Sequence, residues 1–119
     1  MRKIIVAALA ALLCGLVVAG AARPRGGSAE AGTAAVTIKD FEFQPRQITV
    51  KAGTTVTWTN DGASSHTVNA DDGSFSSPTL GKGQTFSRKF AKPGTYPYYC
   101  AFHGGKGGDG MTGTVVVTR

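Results

Sequence analysis

The chain has 119 residues and a formal charge of +6, which leaves room for one ordinary domain and a leader but not for two separate cores. Its basic residues are dispersed and carry no nucleic-acid motif, which argues against nucleic acid as a partner. Without Arg2 and Lys3 the balance falls to +4, a mild preference for acidic partners.

The N-terminus opens with Met1, Arg2 and Lys3, continues as an apolar run from Ile4 to Ala19, and closes on Gly20, Ala21 and Ala22. This order is that of a secretory signal peptide over residues 1–21, with Ala19-Gly20-Ala21 as the cleavage motif. A retained membrane anchor is the alternative, because the run approaches the ~18 residues needed to span a bilayer. Leu13 stands before Cys14 where a lipid-attachment signal places a small residue, so lipidation is not expected. Residues 22–33 are Gly, Ala, Ser, Pro and charge without apolar periodicity, and read as a flexible linker. The folded domain is expected over 34–119.

Within it, Val36 and Ile38 alternate with Thr37 and Lys39, and Ile48 and Val50 with Thr49 and Lys51, as in strands with one buried face. Ala52-Gly53-Thr54 turns the chain into Thr55-Val56-Thr57-Trp58-Thr59, rich in β-branched and aromatic residues. After the Asn60-Asp61-Gly62 turn, His66 to Asn69 forms a short extended piece and Ala70 to Thr79 a polar loop. Gln84 to Phe90 and Thr95 to Cys100 are further strands, and Pro97 requires an edge or an unpaired position in the second. Thr114 to Thr118 closes the chain. Trp58, Phe41, Phe43, Phe86 and Phe90 are expected in the core. Short strands at this spacing, without a helix, predict an all-β Greek-key β-sandwich or barrel of about seven to eight strands.

Once Cys14 leaves with the leader, Cys100 is the one thiol of a protein sent to an oxidising compartment. Metal ligation, intermolecular pairing and nucleophilic chemistry are the available reasons for such a thiol. The chain's two histidines decide among them. His103 follows Cys100 by three residues, so thiolate and imidazole converge from one loop, and His66 stands near a strand end from which a third ligand can reach across. Met111, the one methionine after export, lies where the chain turns into its last strand. Two imidazoles, a thiolate and a weak axial thioether are the ligand set of a blue-copper electron-transfer site. Thiolate and thioether favour Cu(I) and imidazole accommodates Cu(II), so a frame that holds one compromise geometry lets an electron move with little rearrangement.

From Val36 to Arg119 the chain resembles the cupredoxins, and most the plastocyanin-like small blue copper proteins. The resemblance is carried by Phe41-Glu42-Phe43-Gln44-Pro45, Ile48 to Gly53, Val56 to Asn60, His66-Thr67-Val68, Gly94 to His103 and Gly110 to Val115. It implies an eight-stranded Greek-key sandwich with one type 1 copper ion at one end. It also implies His66, Cys100 and His103 in the trigonal plane, Met111 as the long axial ligand, and His103 as the ring closest to solvent. Phe102, Gly104 and Gly105 would then border a docking surface.

The chain departs from the family pattern twice. Seven residues, five of them glycine, separate His103 from Met111, where compact relatives have about two to four; the glycines let this extra chain bulge out and still return Met111. Thr67 stands where many relatives have an asparagine that ties the two ligand loops.

The function expected is an exported, periplasmic or otherwise extracytoplasmic, monomeric carrier of single electrons between redox proteins such as a cytochrome or a membrane oxidoreductase. A copper carrier or buffer is the alternative, and zinc in the same pocket a third reading. The sequence shows no nucleophile–base pair, so no enzymatic activity is expected.

Overall fold

A computed structural model describes residues 32–119. The expected signal peptide, the possible anchor and most of the linker lie outside the described residues. We number the strands β1 (Thr33–Lys39), β2 (Glu42–Gln44), β3 (Gln47–Lys51), β4 (Thr54–Asn60), β5 (Asn69–Ala70), β6 (Thr85–Phe90), β7 (Gly94–Gly105) and β8 (Asp109–Thr118). No helix occurs among the described residues.

The strands form two four-stranded sheets, one in the order β2-β1-β4-β6 and the other β3-β8-β7-β5. β3 leaves the first sheet after β2, and β4 returns to lie parallel to β1, with Val36 opposite Trp58 and Ile38 opposite Asn60. β3 runs parallel to β8, with Ile48 opposite Val115 and Val50 opposite Val117. These crossings give the sandwich its Greek-key character.

Alternation decides which faces meet. Along β4 the side chains of Thr54, Val56, Trp58 and Asn60 point inward while Thr55, Thr57 and Thr59 point outward. Trp58 is the centre of the core, with the rings of Phe75, Phe86, Phe90 and Tyr98 packed around it at centroid distances of 5.3–6.3 Å. A fully buried side chain of this size contributes roughly 1.5–3 kcal/mol through burial alone.

Phe75 belongs to a stretch whose composition reads as a polar loop, yet it is buried against Trp58 and Phe90. One aromatic among Asp, Ser and Gly leaves no periodicity to reveal that. Phe41 is a correction of the opposite kind: expected in the core, it is 57 % exposed. It sits in the tight turn between β1 and β2, where strand alternation no longer applies, while Phe43 two residues later is buried beneath Tyr98.

Two positions show how β7 and β8 are matched. The N–H of Thr114 donates to Arg46 on the β3 side, so Pro97, opposite Thr114, owes no hydrogen bond to β8. Tyr98 lies opposite Gly113, and its ring occupies the space a side chain there would need. Burial pushes the Tyr98 hydroxyl up to about 12, so it stays neutral inside the sandwich.

Replacing Gly113 with Ala is therefore expected to overpack this pair and lower stability by about 1–3 kcal/mol. Denaturant unfolding checks this, the expected result being a lower midpoint at an unchanged slope.

Candidate metal centre

His66 lies in the connection between β4 and β5, and Asn60 holds that connection in shape. The fully buried Asn60 side chain donates to the carbonyls of Ser64 and Leu80 at 2.9 and 2.8 Å and accepts from the N–H of Gly62 at 2.8 Å. His66 then exchanges two backbone hydrogen bonds with Leu80, at 3.0 and 2.8 Å. Its ring is wholly buried.

Cys100 and His103 come from an irregularity in β7. Tyr99 pairs with Thr112 and Gly104 with Gly110, so the four residues Cys100–His103 face the single residue Met111. Extra residues on one strand must arch away from the ladder and re-aim their side chains. Here the arch carries both Cys100 and His103 toward His66. Gly104 closes it, because a Cβ there would lie 2.6 Å from the backbone nitrogen of Met111.

The glycine-rich stretch between His103 and Met111 is not a free bulge. Gly104 pairs with Gly110 and Gly105 with Asp109, and the tip turns through Gly107 and Gly108, both with positive φ. The Gly107 N–H donates to the Asp71 carboxylate at 2.9 Å. The additional residues thus lengthen the β7–β8 hairpin, and Met111 re-enters β8 buried, 3 % exposed, directly opposite the arch.

The Nδ1 atoms of His66 and His103 stand 3.7 and 3.6 Å from Cys100 Sγ, and the three donor atoms all lie within 4.8 Å of one another. Bonds of about 2.0–2.3 Å meeting at about 120° separate nitrogen and sulfur donors by roughly 3.6 Å. One metal ion therefore fits between them without movement of the backbone. Cys100 Sγ accepts the Thr67 N–H at 3.4 Å.

Thr67 also carries the tie between the ligand segments. Its hydroxyl accepts the Ala101 N–H at 2.8 Å and donates to the Asn69 side-chain oxygen at 2.6 Å. A threonine thus joins the His66 segment to the Cys100 arch, with Asn69 supplying the polar extension.

Two residues that sequence reasoning missed touch the imidazoles from outside. Asp40 Oδ1 lies 2.7 Å from His66 Nε2. That hydrogen bond is the main reason its carboxyl is held below the usual carboxylate range, with the N–H groups of Ala63 and Ser64 adding to it. The Phe41 ring packs 4.6 Å from the half-buried ring of His103, and Phe102 beside it is 56 % exposed. Next to a strand end, an Asp reads only as a turn residue, so composition gave no signal for Asp40.

A two-sheet Greek-key sandwich with a His-Cys-His cluster, two of its members buried and the third half-buried, defines a small metal-binding β-protein. A cupredoxin-like domain model matches residues 5–117, and the chain belongs to the cupredoxin-like family. Amicyanin-alpha from Methylorubrum extorquens is 39 % identical over 102 residues, covering 82 % of this chain and 86 % of that protein. Plastocyanin from Scenedesmus fuscus is 36 % identical over 86 residues, covering 63 % and 85 % respectively. Among solved structures, a purple cupredoxin from Nitrosopumilus maritimus superposes with a TM-score of 0.62 at 30 % identity, covering 71 % of this chain and 99 % of that one. Copper is the cofactor of the family, and the spacing and softness of the donors fit it.

Thr67→Val keeps the shape and removes the hydroxyl, leaving the Ala101 N–H without its acceptor. The expected loss is about 1 kcal/mol, accompanied by faster hydrogen exchange at the Ala101 amide, which NMR can read residue by residue.

Proposed function

We propose that this protein is an exported type 1 copper protein that carries single electrons between larger redox proteins. His66, Cys100 and His103 would hold the copper, with Met111 as a fourth, weaker donor. The observation that carries this reading is the pair of sulfur–nitrogen separations, 3.7 and 3.6 Å, between Cys100 and the two imidazoles. Copper bound there supplies a one-electron Cu(II)/Cu(I) couple.

The chain's own part is to hold four donors still and keep water out. His66 and Cys100 are inaccessible and Met111 nearly so, while the ladder and the Thr67 tie restrain their backbones. Donors held this firmly limit rearrangement when the charge at the site changes. His103 is the one ligand ring with an open edge, so a partner approaches there, across Phe41, Phe102 and the glycine hairpin. The amicyanin and plastocyanin relatives support a redox protein as partner, and we take a cytochrome or membrane oxidoreductase outside the cytoplasm as the class proposed.

Reconstitution with Cu(II) is expected to give an intense visible sulfur-to-copper charge-transfer band and a reversible one-electron wave. Chelation of the metal should abolish both. Cys100→Ser should remove the band, and Met111→Leu should keep the colour but shift spectrum and potential. A colourless wild-type copper form defeats the proposal. Release of the copper itself to an acceptor, without electron exchange with a reduced cytochrome, would instead mark a copper carrier.

A further inference from the structure

We infer that Asp40 is a positioning residue for the metal centre: its carboxylate holds the His66 ring in the tautomer and orientation that point Nδ1 at the metal position. This rests on the copper-site reading above, but the geometry that carries it belongs to the chain alone.

Asp40 Oδ1 is 2.7 Å from His66 Nε2, and the other ring nitrogen faces Cys100 Sγ. An ionised carboxylate can only accept, so the hydrogen between these two groups resides on Nε2. The neutral ring then has its lone pair on Nδ1, the atom directed at the cluster. A ring nitrogen that donates to a carboxylate also makes the opposite nitrogen the more basic, and strengthens its bond to a cation.

The rest of the loop is built to keep the carboxylate there. Ala63 and Ser64 donate backbone N–H groups to Asp40 Oδ2 and Oδ1 at 2.9 and 3.1 Å. The Asp61 N–H binds the Ile38 carbonyl at 2.8 Å and brings the loop against the end of β1. Gly62 has no room for a side chain, because the Asp40 carboxylate fills the space its Cβ would take. The group therefore receives three hydrogen bonds from a segment that ends on a ligand, more than a turn between β1 and β2 requires.

Two variants separate positioning from mere loop stability. Asp40→Asn removes the charge with little change of shape, and Gly62→Ala leaves the charge but displaces the carboxylate. In the metal-free protein, at a pH where imidazole is neutral, ¹⁵N NMR of wild type should show His66 protonated on Nε2 with a slowly exchanging proton. Both variants should lose that protection. In the copper-loaded protein, affinity should fall about 10–100-fold in Gly62→Ala. Asp40→Asn should weaken Cu(II) relative to Cu(I) by about tenfold, a rise in potential of about 59 mV.

Variants that are less stable but retain the His66 tautomer, its protected proton and the wild-type potential overturn the inference. So does wild-type His66 protonated on Nδ1. Because the tautomer is read without metal, a wild type that binds no blue copper would defeat the function proposed above without deciding this one.

Discussion

The centre depends on one mismatch in a β-ladder. Four residues of β7 face one residue of β8, and this local surplus brings together two donor side chains that would otherwise lie on opposite sides of a strand. In a regular strand Cys100 and His103, an odd number of positions apart, would point to opposite faces. The arch cancels that alternation. It needs Gly104 to close it and Thr67 to hold it against the neighbouring loop, so a glycine and a hydroxyl act on the metal geometry without touching the metal position.

The arch is anchored to the hydrophobic core rather than to the surface. Cys100 continues directly from Tyr98, which lies against Trp58, and Met111 leads through Gly113 toward Val115 and Val117. A packed interior of this kind resists small displacements, because moving one side chain opens a void or forces an overlap. Ligands grown from such a frame inherit its stiffness. That is the physical connection between an ordinary sandwich core and a stiff set of copper donors.

Much of this was legible in the residues. The strands showed themselves by alternation around Val36, Ile48, Trp58 and Val115, and the three donors by being the chain's histidines and the one thiol among the described residues. What escaped was whatever depends on turns. Phe41 shares its parity with the buried Phe43, yet the β1–β2 turn swings it out over His103. Glu42–Gln44 is too short to display a period, Phe75 is isolated among polar neighbours, and Asp40 resembles any turn aspartate. That the projecting glycine stretch pairs as a hairpin stays hidden because glycine lacks the side chains through which strand pairing announces itself.

That hairpin also alters what a ligand spacing means. The separation between His103 and Met111 in the chain measures the path, whereas the separation in the fold is set by the pairing of Gly104 with Gly110. Once those two residues are paired, residues beyond them lengthen a projection and leave Met111 where a shorter connection would also put it. Met111 therefore stays opposite the arch in the ladder despite its greater distance along the chain. The difference appears at the surface, where the exposed tip at Lys106–Gly108 is pinned by the Gly107 N–H donating to Asp71.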